Sequence, residues 1–183
     1  MKIITFANWK GGVGRTTSVV NLGAYFANKD IKTLLIDMDV QYNLSQCFGI
    51  EEPPETVFDA LINRTPLPIY EVRENLDLAP SGINGVGADM EMSIKVQVDR
   101  TARLAQALEE LDYEIVLIDC PPPLHVPTLN AFQAADLIIS PVQAEAMAFK
   151  GMVALDEQIK KLFNTEQGID YIFLTMVQTN TKL

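Results

Sequence analysis

Short apolar runs recur along the chain, each closed by a Gly- or Asp-rich turn and followed by apolar positions spaced three and four apart. The runs read as buried strands and the spaced positions as amphipathic helices. Ile3 to Ala7 is the first strand, and Gly11, Gly12 and Gly14 lie in the turn after it. A helix from Thr16 to Asn28 places Val19, Leu22, Gly23 and Phe26 on one face. Thr33 to Ile36 is a second strand, ending at Asp37. A softer region from Gly49 to Asn75 follows, where Pro53, Pro54, Pro66 and Pro68 bracket a helix near Thr56–Ile62. Leu76 to Ala79 is a third strand, stopped by Pro80, Ser81 and Gly82.

The second half repeats the theme. Ala102 to Leu111 has helical spacing through Leu104, Leu108 and Leu111. Glu114 to Ile118 is a strand ending at Asp119, and Pro121, Pro122 and Pro123 bar helical continuation. A short helix from Leu129 to Ala135 leads to a strand from Leu137 to Ser140. Glu145 to Phe163 is a long helix with Met152, Leu155, Ile159 and Leu162 facing inward, and Tyr171 to Met176 is the last strand. Such alternation predicts an α/β fold, a three-layer, doubly wound, mostly parallel sheet in a single domain over residues 1–183. Right-handed crossovers bring the strand-end loops to one edge, where these sheets bind ligands. Three of those ends carry polar chemistry: after the first strand, after Ile36 and after Ile118.

Charge and composition narrow the picture. The chain of 183 residues has 14 Lys+Arg against 24 Asp+Glu, a formal net charge of −10, which argues against a broad basic nucleic-acid surface. No apolar run reaches the ~18 residues of a membrane span, and the start carries no signal-peptide pattern. Two cysteines, Cys47 and Cys120, make neither a disulfide framework nor a metal cluster. A soluble cytoplasmic protein with no membrane attachment is expected.

The chemistry starts at Lys10-Gly-Gly-Val-Gly-Arg-Thr-Thr17, set between a strand and a helix. Glycines there let the backbone curl so that N–H groups point inward, and the following helix adds its positive N-terminal dipole: a phosphate cradle. Thr16 is placed to offer a hydroxyl to Mg²⁺. The common G-x-x-x-x-G-K-[ST] pattern fails at two positions, with Trp9 in place of the first Gly and Arg15 in place of the Lys.

Those residues resemble the ParA/MinD family of deviant Walker A P-loop ATPases, whose motif K-G-G-x-G-K-[ST]-T is matched from Lys10 to Thr17 except at Arg15. Asp37-Met-Asp-Val-Gln-Tyr-Asn43 is similar to the family's D-x-D-P-Q-x-N stretch, with Val40 in place of Pro. Ile115 to Pro122 resembles its Walker B strand and trailing prolines, and Asn130–Asp136 with Pro141–Glu145 a further block. Val40 to Asn43 looks closer to the partition branch than to the membrane-bound division-site branch.

The resemblance implies a P-loop NTPase fold, ATP and Mg²⁺ as cofactors, and a nucleotide-dependent homodimer. It assigns phosphate binding to Lys10, Gly11, Gly12, Val13, Gly14, Arg15, Thr16 and Thr17. Lys10 matches the lysine that reaches the phosphates of the other subunit, and Arg15 the lysine bridging the β- and γ-phosphates. Thr16, Asp119 and Asp37 are assigned to the Mg²⁺ site, Asp37 as a nearby acid of the same switch. Asp39 matches the residue that positions the attacking water. Catalysis is thus expected from Lys10, Arg15 and Asp39. The implied task is plasmid or chromosome partition with a centromere-binding partner and non-specific DNA. Compared with the family the chain is C-terminally short, and the part carrying much of the adenine pocket and the DNA-binding residues is expected to be missing. An open sheet edge would follow.

Arg15 changes the expected chemistry. Its guanidinium is wide, planar and forked where an ammonium is compact, so nucleotide binding is expected to survive while hydrolysis becomes slow or absent. The alternative is a non-hydrolysing nucleotide-binding scaffold that forms homodimers or mixed dimers. Elsewhere, Cys120 reads as a small core residue, His125 as a surface loop histidine, and Met147, Met152 and Met176 as core. Lys150, Lys160 and Lys161 read as a solvated helix face. Trp9 either packs on a second subunit or plugs the strand end.

Overall fold

The computed structural model describes residues 1–83, 87–96, 98–122 and 125–178, without the side chains of residues 88 and 89. Pro123 and the last five residues lie outside that description. Among the described residues seven strands form one sheet: β1 (Lys2–Phe6), β2 (Thr33–Asp37), β3 (Tyr70–Arg73), β4 (Leu76–Ala79), β5 (Ile115–Asp119), β6 (Leu137–Gln143) and β7 (Tyr171–Thr175). Their spatial order is β3-β4-β2-β5-β1-β6-β7, with all pairs parallel except β3–β4. The mostly parallel doubly wound sheet read from the sequence is therefore present.

Seven helices complete the described chain: α1 (Arg15–Ala27), α2 (Asn43–Gln46), α3 (Val57–Asn63), α4 (Ala88–Lys95), α5 (Arg103–Leu108), α6 (Val126–Ala134) and α7 (Ala146–Phe163). Alternate residues of the central strands feed two cores, because successive side chains point to opposite faces. Leu35 and Leu117 join Val19 and Ala27 of α1 on one face. Leu34, Ile36, Val116 and Ile118 join residues of α3 to α7 on the other. Helix α1 lies unusually close: a Cβ added to Gly23 would stand 2.7 Å from Leu35 Cδ2.

Several elements differ from the sequence reading. Strand β3 lies in the region read as soft, and pairs antiparallel with β4 through a register shift between Glu71 and Arg73. Helices α2 and α4 were not foreseen, being four and eight residues with no long periodic stripe. Strand β6 runs on through Pro141 to Gln143, and α6 begins at Val126 with proline in its first turn, where its missing N–H goes unneeded. On α7, Leu162 is 54% exposed, whereas Phe163 packs against the core; over three turns the apolar stripe drifts one position further. Met152 is buried, but Met147 and Met176 are 75% and 58% exposed, correcting their assignment to the core.

Strand β7 stands last in the sheet order of the described residues, with Tyr171, Ile172 and Leu174 exposed. Among the described residues, no helix is long and apolar enough to cross a membrane.

Candidate functional site: a phosphate loop facing three aspartates

Sheet register assembles the site. Phe6 of β1 pairs with Asp119 of β5, and Asp119 in turn pairs with Asp37 of β2. The loop after β1 therefore opens directly beside both acids. Gly12 and Gly14 have φ of 70° and 92°, a left-handed conformation that side chains resist. Nothing lies within 4 Å of a Cβ placed on Gly11 or Gly12, so the cradle is open there. Val13 is buried beneath it and Thr17 is exposed on the first turn of α1.

Thr16 donates its hydroxyl to Asp119 Oδ2 at 2.5 Å. The other oxygen of that carboxylate, Oδ1, is buried and has no hydrogen-bond partner among the described residues. Burial, ahead of the neighbouring Asp39, pushes the Asp119 carboxyl up to about 6, against the Thr16 bond and Arg15. Asp37 is fully buried and is pushed up to about 7, by burial first and Asp119 second. Its two oxygens are already engaged: Oδ1 accepts from Asp39 N at 3.1 Å, and Oδ2 from Ser45 N and Oγ at 2.9 and 2.7 Å. Asp37 thus ties the turn after β2 to the start of α2.

The two cations are both held by carboxylates. Arg15 is buried; its Nη1 donates to the Asn8 carbonyl at 3.1 Å, and its Nη2 lies 3.8 Å from Asp39 Oδ2. Lys10 points instead along the sheet edge, where Nζ donates to Gln143 Oε1 at 2.5 Å and Glu145 Oε2 at 2.8 Å. Trp9 packs partly buried against the main core, so in the single chain it closes the strand end. Cys120 is buried, and His125 is exposed at the residue preceding α6.

An ion would find fitting donors here. Among the described residues no three His, Cys, Asp or Glu form a cluster able to hold a metal. Mg²⁺ with nucleotide does not need one, because it keeps waters and takes phosphate oxygens. The Thr16 hydroxyl and the unpartnered Asp119 oxygen suit that kind of site.

Four contributors escaped the sequence reading. Asn8 is buried and braces the loop: Nδ2 donates to Ser140 Oγ and the Pro141 carbonyl, and Oδ1 accepts from Lys10 N. A polar residue directly between an apolar strand and the glycine run was the available signal. Glu145 stood at the end of a quoted block without an assigned role, and Ser45 lay two residues past the Asp37–Asn43 stretch. Thr175, at the end of β7, has a buried hydroxyl with no hydrogen-bond partner among the described residues, and its methyl would lie 3.8 Å from a Cβ on Gly14; no local pattern announces it.

Comparison with known proteins fits this geometry. Residues 1–170 match the AAA domain family AAA_31. The chromosome-partitioning ATPase Soj of Treponema pallidum is 39% identical over 194 residues, covering 100% of this chain and 74% of that protein. The chain belongs to the ParA/MinD family of deviant Walker A ATPases, on its Soj/ParA partition branch. A solved plasmid partition protein of Borrelia burgdorferi superposes with a TM-score of 0.84 at 30% identity, over 98% of this chain and 80% of that one. The cobyrinic acid a,c-diamide synthase of Mycobacterium smegmatis, solved with an ATP analogue and magnesium, superposes with a TM-score of 0.88 at 29% identity, over 99% and 77%. These proteins are similar to this one across nearly its whole length, and each extends further.

Proposed function

We propose that this ParA-type chain binds Mg²⁺-ATP between two copies of itself and works in plasmid or chromosome partition. The carrying observation is the Thr16–Asp119 contact beneath an open glycine loop, which joins the two halves of a nucleotide-and-metal site. The backbone N–H groups of residues 11–17 would wrap the phosphates. Arg15 would supply the positive charge beside them, Thr16 a metal ligand and Asp119 a hold on metal-bound water. Asp37 is the outer acid of this group, shaping the turn that presents Asp39. Bound Mg²⁺ supplies charge neutralisation on the phosphate oxygens. Asp39 would orient the attacking water, and Lys10 would reach the phosphates of the second copy. A centromere-binding protein, non-specific DNA and a cytoplasmic location belong to the same proposal.

Light scattering with Mg²⁺-ATP and with Mg²⁺-ADP tests it. A dimer with ATP and a monomer with ADP is the expected result, since the γ-phosphate is the differential contact. Equal mass with both nucleotides would refute the switch.

A second reading is favoured by the Arg15 geometry. A guanidinium placed against both the Asn8 carbonyl and Asp39 occupies the water-positioning acid. The chain would then bind nucleotide and dimerise, or enter mixed dimers, without hydrolysing. Steady-state phosphate release separates the two readings.

A further inference from the structure

Lys10 is fixed at both ends of its reach. Its backbone N–H donates to Asn8 Oδ1, and its ammonium is held by two acceptors more than 130 residues away. Those acceptors are mutually braced, because Gln143 Nε2 donates to Glu145 Oε1 at 2.8 Å. Their backbone is anchored as well: Glu145 N donates to the Gln143 carbonyl, and Ala144 N to the Thr175 carbonyl of β7. Other ion pairs between distant elements among the described residues are looser. Lys2–Asp136 spans 3.7 Å, Arg15–Asp39 3.8 Å and Arg64–Asp99 3.9 Å.

From this geometry we propose that Glu145, with Gln143, is a latch that withholds Lys10 within a single protomer, and that pairing of two copies must break it. The inference rests on the dimer reading above. The side chains of Lys10 and Glu145 are 44% and 51% exposed, so the latch is weak enough to release and is reachable by a second copy. A carboxylate at 2.8 Å competes directly with any phosphate that Lys10 would otherwise meet. Triphosphate, carrying more charge than one carboxylate, wins that competition, whereas a surface without γ-phosphate does not. Glu145 therefore acts as a positioning residue that sets the threshold for assembly.

An exposed pair of this kind is worth about two- to fivefold in an equilibrium constant. Two latches open per dimer, so removing both should tighten dimerisation about four- to 25-fold.

The test is sedimentation of wild type, Glu145→Gln and Glu145→Ala at saturating Mg²⁺-ATP, in low salt and in ~1 M salt. Both variants should dimerise more tightly in low salt, and the advantage should shrink at ~1 M, where screening reaches about 3 Å. Unchanged or weaker dimers in both variants, beside a wild type that dimerises, overturn the latch and leave the dimer reading intact. A wild type that binds ATP but never dimerises overturns the dimer reading. The latch itself is then judged by side-chain ¹⁵N NMR of the nucleotide-free protein. There the Lys10 ammonium protons should exchange with water more slowly than those of Lys161, and Glu145→Ala should remove the difference. Equal exchange in wild type and variant overturns the latch whatever the oligomeric state.

Discussion

Thr16 and Asp119, 103 positions apart in the chain, meet at 2.5 Å through a hydroxyl that donates to Oδ2. The contact leaves Asp119 Oδ1 buried without a hydrogen-bond partner among the described residues. A carboxylate so placed suits a cation more than it suits the empty fold.

Asp119→Asn should therefore separate stability from function. The folded carboxyl titrates near 6, above its unfolded value near 3.8. The folded state thus binds the proton more tightly, and that stabilisation is full below about 4 and lost as pH rises through 6. At pH 8 the ionised group costs on the order of 3 kcal/mol. Asparagine removes that cost while its amide oxygen can still accept from Thr16. Thermal unfolding of the nucleotide-free variant should show a higher Tm than wild type at pH 8 and a similar one near pH 4. The extra stability that Mg²⁺ adds to the ATP complex should vanish. A variant less stable than wild type at pH 8 would contradict the strain inferred at Asp119.

Arg15→Lys should raise ATP turnover. The guanidinium sits against the Asn8 carbonyl and near Asp39, and an error of ~1 Å in a catalytic group costs ~10²-fold. Phosphate release at saturating Mg²⁺-ATP should rise by ~10- to ~10²-fold. Equal rates would remove Arg15 as the brake.

Asn8→Ala should weaken both the fold and the loop. It deletes buried bonds to Ser140 and Pro141 and removes the acceptor of the part-buried Lys10 N–H. The expected cost is about 2–4 kcal/mol, with loss of ATP affinity measured by calorimetry well below the Tm. Retained affinity would show that the glycines hold the loop unaided.

Gly23→Ala tests the packing of α1. The added Cβ would meet Leu35 Cδ2 at 2.7 Å, and Leu35 is fully buried. Overpacking costs about 1–3 kcal/mol, more than the ~1 kcal/mol that alanine adds to helix propensity. Differential scanning calorimetry should find a lower Tm. An unchanged value would mean that Leu35 repacks freely.

What the sequence determined by itself is what local pattern encodes. Apolar runs and helical spacing marked β1, β2, β4, β5 and α1 because buried strands and amphipathic helices leave periodic traces. Lys10 to Thr17 and the acids at Asp37, Asp39 and Asp119 were legible as types at spacings, and the resemblance to one family followed. Short or irregular pieces were not: β3, α2 and α4 form where neighbours cover them, and tertiary burial overrides weak local signals.

Only the tertiary structure decided which of these groups touch. Sheet register sets Phe6 beside Asp119 and Asp119 beside Asp37, and no one-dimensional spacing contains that register. Asn8 became a brace because β6 passes alongside β1. Lys10 met Glu145, and Arg15 met Asp39, because side chains seek the nearest compensating charge once a fold fixes their backbones.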